Sequence, residues 1–311
     1  MDKSIQKLYS IILKNLKKYE FNSFLIGFNK HYGEDGKILK MEIGSKLEEE
    51  LDKKVDFVHP DIVIVINLKT GKVSFDIKST YIYGRYNKYQ RNLAQTKWNK
   101  KQKINSIEEI IGIPFIKYLK GTGATLHGCG REDIDVLMLG NGRPFVLEIK
   151  NPKKRFSDLK KITERINKKN NNKVKISSIK YTNIENIKKI KEAKANKTYI
   201  ARISSKKAFS KEEVEKALKG LNKKIIKQRT PFRVSRRRAD LIRERKVLDI
   251  SLLNFNPIFF ELKIKTEGGT YIKELISGDK GRTTPSLNEL LGETEDPLVV
   301  IKELDVTKVD F

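Results

Sequence analysis

His127–Lys150 reads HGCGREDIDVLMLGNGRPFVLEIK, and two apolar runs within it, DIDVLML and PFVLEIK, flank Gly140-Asn141-Gly142. Asn-Gly between alternating apolar segments is a strong hairpin signal, so the stretch reads as a strand, a turn and a second strand. Along it lie Asp133, Asp135 and Glu148, three carboxylates that could carry chemistry. Upstream, Ser106-x-x-Glu109 has the spacing of a capping box and opens a helix through IEEIIGIPFIKYL. Downstream come a Lys/Asn-rich helix or insertion from Pro152 to Lys173 and a basic helix ending near Ala195. The strand KTYIARISS follows, then a second capping signature, Ser210-x-x-Glu213. VLDISLL, PIFFELKIKTE and PLVVIKELDV read as further strands, with GGTYIKELI as a turn leading into a helix.

The N-terminal part has its own pattern. Helical periodicity at Ile5, Leu8, Ile12 and Leu16 and the helix EIGSKLEEEL flank a short strand near FNSFLIG, and HPDIVIVINL, KVSFDIK and STYIYG then read as three strands. Together they predict an α/β unit ending near Gly84. RYNKYQRNLAQTKWNKKQK, Arg85 to Lys103, is basic, aromatic and almost free of acids, and reads as a linker or an RNA-touching surface. The expected organisation is therefore an N-terminal domain over 1–103 and a second domain over 104–311, with α+β architecture.

Of the 311 residues, 66 are Lys or Arg against 39 Asp or Glu, a formal charge of +27. High charge of both signs suits adaptation to heat, but so large a positive excess sets up a field that attracts polyanions and points to nucleic acid. A single cysteine, Cys129, excludes an internal disulfide framework, and His31, His59 and His127 lack paired-ligand spacing, so no metal is expected. Lysines interrupt the apolar positions of the N-terminal helix, so no membrane span or signal peptide is expected and the protein reads as cytoplasmic.

Three chemistries fit the motifs. Asp135 followed by Glu148-Ile149-Lys150 has the layout in which two carboxylates hold a divalent cation in a nuclease. Any amphipathic hairpin in a Lys-rich chain produces that layout, and FDIKS repeats it at Asp76 and Lys78. Alternatively Asp133, in GRED, acts on a sugar or base directly, with Arg131 binding a phosphate or holding a carboxylate. The third reading is a non-catalytic tRNA-binding module. Arg229, Arg233, Arg236, Arg237, Arg238, Arg243 and Arg245 cluster in QRTPFRVSRRRADLIRERK, and guanidinium forks suit phosphates.

GRED, KTYIARI and GGTYIKEL are similar to the three active-site motifs of pseudouridine synthases. The longer strings GREDIDVLMLGNGRPFVLEIKNP, QRTPFRVSRRRADLIR and GGTYIKELISGDKGRTTPSLNELLG resemble the Pus-ten family of archaeal and eukaryotic tRNA pseudouridine synthases. KKVDFVHPDIVIVINLKTGKV and YIYGRYNKYQRNLAQTKW resemble its THUMP-containing accessory region. The resemblance implies a mixed, largely antiparallel catalytic sheet with flanking helices beside a THUMP-like domain. It implies uridines 54 and 55 of the tRNA TΨC arm as substrate, no cofactor and no obligate protein partner. It places the catalytic aspartate at Asp133, a base-stacking tyrosine at Tyr199, the basic partner of the aspartate at Lys273, and uracil-pocket packing at Leu275 or Ile276. The arginine-rich segment becomes a thumb-like loop over the RNA. The family's accessory domain generally carries zinc-binding cysteine pairs, whereas this chain reads NKKQK after Trp98, so no zinc is expected there.

Overall fold

The computed structural model describes residues 3–30, 32–97, 106–293 and 296–311. Helix α1 (Lys3–Leu16), strand β1 (Ser23–Phe28), helix α2 (Gly33–Leu51) and strands β2 (Lys54–Val55), β3 (Ile62–Asn67) and β4 (Lys72–Ile77) come first. They form a 4-stranded sheet in the order β2-β1-β3-β4, parallel except at the β3/β4 pair. The run IVIVIN makes β3 because branched side chains suit the pleat, and alternate residues Ile62, Ile64 and Ile66 are fully buried. Ile12 and Leu16 of α1 and Ile43 and Leu47 of α2 meet them in a separate core. Each such side chain contributes about 1.5–3 kcal/mol of burial.

The remaining elements are β5 (Thr80–Lys88), α3 (Ile107–Leu119), β6 (Gly123–Gly128), β7 (Leu137–Lys150), α4 (Leu159–Lys169), β8 (Val174–Thr182), α5 (Glu185–Glu192) and β9 (Lys197–Ser205). They are followed by α6 (Lys211–Leu221), β10 (Ile225–Arg229), a 3-10 turn (Phe232–Arg237), β11 (Ile242–Asn256), β12 (Phe259–Thr266), α7 (Ile272–Ser277), β13 (Thr283–Thr284), α8 (Leu287–Leu290) and β14 (Val299–Val309). Their strands form a 10-stranded sheet ordered β13-β10-β11-β12-β9-β14-β7-β5-β8, with β6 also paired to β7. Every pairing is antiparallel except β14 with β7, so the expected α+β class with a mixed, largely antiparallel sheet is what forms.

Three local expectations change. Gly140-Asn141-Gly142 does not turn the chain, because β7 runs on through it and exchanges neighbours there. Leu137 and Met138 pair with Asp305 and Val306 of β14, whereas Phe145 onward pairs with β6, and β5 accompanies β7 on both sides of the segment. Gly140 has φ +56°, and a Cβ on it would collide with the Thr307 carbonyl. Asn141 exchanges two hydrogen bonds of 3.0 Å with the Val309 backbone, so this signal serves a strand crossing. Second, Val174–Thr182 is a strand, β8, where the sequence reading placed only basic helix. Third, YIYG belongs to β5 in the large sheet, paired with both β7 and β8. Sheet membership therefore changes between Ile77 and Thr80, well before the expected division at 103/104. The Arg85–Lys97 part of the expected linker is strand and strap, while Trp98 and NKKQK lie outside the described residues.

Arg155 joins the two sheets. Its guanidinium donates to the Asp61 carbonyl (2.8 Å), the Lys78 carbonyl (2.6 Å) and Thr80 Oγ1 (3.1 Å), and lies 3.3 Å from the Asp61 carboxylate. Its own amide donates to Glu20 Oε2 at 3.0 Å. Replacing this buried cation leaves several acceptors dry. Arg155→Met is expected to lose about 3 kcal/mol of stability in urea titration, and a loss below roughly 0.5 kcal/mol would show that the bridge carries little.

Candidate active site

The GRED segment lies in the loop between β6 and β7, and buried groups hold it from beneath. Glu132 is buried and lies 2.8 Å from Arg143 Nε on β7, off the axis of that N–H. Tyr86 on β5 donates its hydroxyl to the Glu132 carboxylate at 2.9 Å, and Gln95 donates to the Tyr86 oxygen (2.8 Å) and the Gly130 carbonyl (3.1 Å). Arg143 also donates to the Cys129 carbonyl at 2.7 Å. Burial alone would pull Arg143 down, but Glu132, together with Tyr86, Tyr199 and Cys129, outweighs it and keeps the guanidinium ionised above its usual range.

A second clamp comes from Lys88. Fully buried, its ammonium donates to the carbonyls of Leu93 (3.0 Å), Asp133 (3.2 Å) and Ile134 (3.1 Å), while burial pulls its pKa below the usual value. Arg91 donates to the Asp135 carbonyl (2.7 Å) and the Leu304 carbonyl (3.1 Å) and pairs with Asp305 at 2.7 Å. The backbone of the Asp133 loop is thus tied to β5, the strap after it and β14. None of Tyr86, Lys88, Arg91, Gln95, Glu132 and Arg143 was singled out by the sequence reading. The detectable signal was a basic run following a β-patterned strand, which marks cations bound to carbonyls as readily as cations facing RNA.

At the surface of this platform four charges meet. Asp133 lies 3.0 Å from Arg233 and 3.6 Å from Lys273, and Lys273 makes its shorter contact, 2.7 Å, with Asp135. Arg233 also binds buried Glu274 at 2.7 Å. The sequence reading gave Lys273 as the partner of Asp133 and Arg233 to RNA. Here Arg233 is the nearer cation, and Asp135 shares Lys273. Burial works against ionisation of Asp135, but the hydrogen bond and charge of Lys273, with Arg233, more than offset it and hold its carboxyl below the ordinary range. The Asp133 side chain is 41% exposed, so the cleft is open to solvent.

β9 contributes Tyr199, buried on the same strand face as Lys197, Ala201 and Ile203. Its hydroxyl has no hydrogen-bond partner among the described residues. Burial pushes Tyr199 up to about 12, against the opposing charge of Arg143, so the phenol is neutral at ordinary pH. Glycines in two of the motifs permit close approaches. Gly130, at φ +78°, faces Lys197 and Arg143, and Gly268 lies against the Ala195 carbonyl where a Cβ would come within 2.8 Å. Leu275 and Ile276 are fully buried in α7.

Other expected residues fall outside this cluster. Arg131 is exposed with no protein partner among the described residues. Arg229 is exposed and pairs with Asp240 at 2.6 Å, while Arg236 and Arg238 are exposed on the segment above the cleft. The Arg237 side chain lies outside the described set. Asp135 just precedes β7 and Glu148 lies near its far end, with Leu137 and Glu148 themselves roughly 36 Å apart at strand rise, and Glu148 binds Ser79 and His127 instead. They cannot share a cation, which removes the nuclease layout. Asp76 and Lys78 simply pair with each other on an exposed strand.

The family model described as Pus10, C-terminal, matches residues 81–310. The chain is 40% identical to the tRNA pseudouridine synthase Pus10 of Methanocaldococcus jannaschii over 98% of its length and 72% of that protein. With the tRNA pseudouridine synthase Pus10 of Thermoplasma acidophilum it shares 36% identity over 97% of this chain and 81% of that one. The chain belongs to the Pus10 family. Among solved structures, a chain of a Cbf5-Nop10-Gar1 complex is similar at TM-score 0.39 and 15% identity, over 72% of this chain and 58% of that one. The Pus10 family match begins one residue after β5 starts, so it follows the sheet boundary.

Two outcomes are expected. Glu132→Ala leaves the buried Arg143 charge without its anion and should lose roughly 3–5 kcal/mol in denaturant titration; stability within about 1 kcal/mol of the parent would contradict the platform role. Tyr199 binds its proton more tightly folded than unfolded, so its contribution is complete below about pH 10 and drains away as pH rises towards about 12. Between those limits the parent should lose about 2–3 kcal/mol more than Tyr199→Phe, read from urea midpoints at both ends of the range.

Proposed function

We propose that this chain converts uridine to pseudouridine in tRNA, acting at positions 54 and 55 of the TΨC arm, with Asp133 as the reacting carboxylate. The supporting observation is the meeting of Arg233 and Lys273 with Asp133, which sits on a loop whose backbone is fixed by buried charges, beside the strand carrying Tyr199. The reaction breaks the C1′–N1 bond, turns the uracil, joins C1′ to C5, and moves the C5 proton to N1. No atoms are gained or lost and no electrons leave the substrate. What the protein must supply is an ionised carboxylate, a hold on the detached base and a dry cleft.

Arg233 and Lys273 lie beside Asp133 as its counter-charges. Tyr199 offers a flat face to the flipped uracil. A phenol pushed up to about 12 is a poor base near neutrality, so Tyr199 serves by stacking and through its hydroxyl rather than as a phenolate. Leu275 and Ile276 form the apolar backing of α7. Since Asp133 is open to solvent in the free protein, water is displaced by the RNA itself, which also competes for Arg233. Arg131, Arg229, Arg236, Arg237 and Arg238 serve phosphates of the bound arm. The small sheet with α1 and α2 acts as the THUMP-like accessory domain, joined to the catalytic domain at 78–79.

The test is incubation of unmodified tRNA transcript with the protein in EDTA, followed by mapping of carbodiimide-reactive pseudouridine. Turnover should survive EDTA and fall by roughly a thousandfold or more in Asp133→Asn, with circular dichroism unchanged. Pseudouridine formed at the parent rate by Asp133→Asn would overturn the assignment. Binding without any product from the parent protein would favour a non-catalytic module.

A further inference from the structure

We infer that Lys197 is a phosphate-binding residue for the flipped nucleotide, an inference that rests on the synthase reading. Lys197 opens β9 and shares its face with Tyr199, two residues on and roughly 7 Å along the strand. That spacing matches the span from a nucleobase to the phosphate of its own nucleotide, so a base on Tyr199 brings its phosphate to Lys197. The ammonium lies over Gly130, where a Cβ would stand 3.4 Å from Nζ, and next to Arg143.

Its surroundings make Lys197 unusual. It forms no ion pair or hydrogen bond with another described residue, although almost every other cation around the motif loop has one. Arg143 has Glu132, Arg233 has Glu274 and Asp133, and Lys273 has Asp135. Burial, and then the charge of Arg143, pull the Lys197 pKa below its usual value, opposed only by the Cys129 thiol. Its partial burial beside a second cation carries a cost that an arriving anion offsets. A compact ammonium with three donors suits a phosphate oxygen, whereas uracil carbonyls present no net charge.

The experiment is a double-substitution cycle on the full chain. Binding of wild type and Lys197→Met is measured against tRNA with ordinary phosphates and against tRNA carrying one uncharged methylphosphonate on either side of the target uridine. Lys197→Met should weaken binding to ordinary tRNA roughly tenfold and lower the salt slope by about one. One of the two methylphosphonates should cost the wild type a similar factor and cost Lys197→Met nothing further. Lys197→Arg should restore most of the loss. Losses that multiply at both phosphates, or parent affinity in Lys197→Met, overturn the assignment. Lys197→Gln carries the same cycle where thermal melting shows the methionine variant unfolded. Pseudouridine formation by wild type is scored in parallel. Its absence sinks the synthase reading, while product formation with multiplied losses sinks only the role of Lys197.

Discussion

The Glu132–Arg143 pair beneath the motif loop is the constraint on which the site depends. A buried ion pair adds little net stability, because two charges leave water for one attraction. Here it acts as a fixed anchor. Arg143 reaches the Cys129 carbonyl, Tyr86 and Gln95 complete the network, and Lys88 collects three further carbonyls. The backbone on both sides of Asp133 is thereby set before any substrate arrives. Reactive groups gain most from such preorganisation when their supporting shell is itself hydrogen-bonded.

Above that rigid layer the charges are more evenly balanced. Asp133 and Asp135 share Lys273, and Asp133 also pairs with Arg233, which is held by Glu274 as well. The arginine comes from the segment between β10 and β11, so one side chain links the overhanging loop to the floor of the cleft. Phe232, the residue before it, is 76% exposed. The floor and the overhang therefore differ in kind. The floor is fixed by buried polar bonds, while the overhang rests on partly solvated ones that an incoming polyanion can exchange.

Much of this was legible in the sequence. Alternation marked β3, β9, β11, β12 and β14, and both capping serines, Ser106 and Ser210, start their helices. Resemblance of the motif strings brought Asp133, Tyr199 and Lys273 together before any coordinates. The misreadings share a cause. Gly-Asn-Gly carries the φ values of a turn, but positive φ also lets one strand pass close to another, and only the neighbour β14 decides between these uses. Lys88, Arg91 and Arg155 look like solvated charge because composition does not report carbonyls contributed from distant loops. YIYG follows β4 closely in sequence, yet it pairs with β7 and β8, since pairing across a sheet is a non-local choice.

β14 follows every other strand in the chain, yet it lies in the middle of the large sheet between β9 and β7. One half of that sheet bears the Asp133 loop and the other bears Tyr199. The two halves precede β14 in the chain and each has an open edge until β14 pairs with both β9 and β7. Without β14 the Asp133 loop and Tyr199 would sit on unjoined halves, so the cleft is assembled only by the pairing of a strand distant in sequence from both.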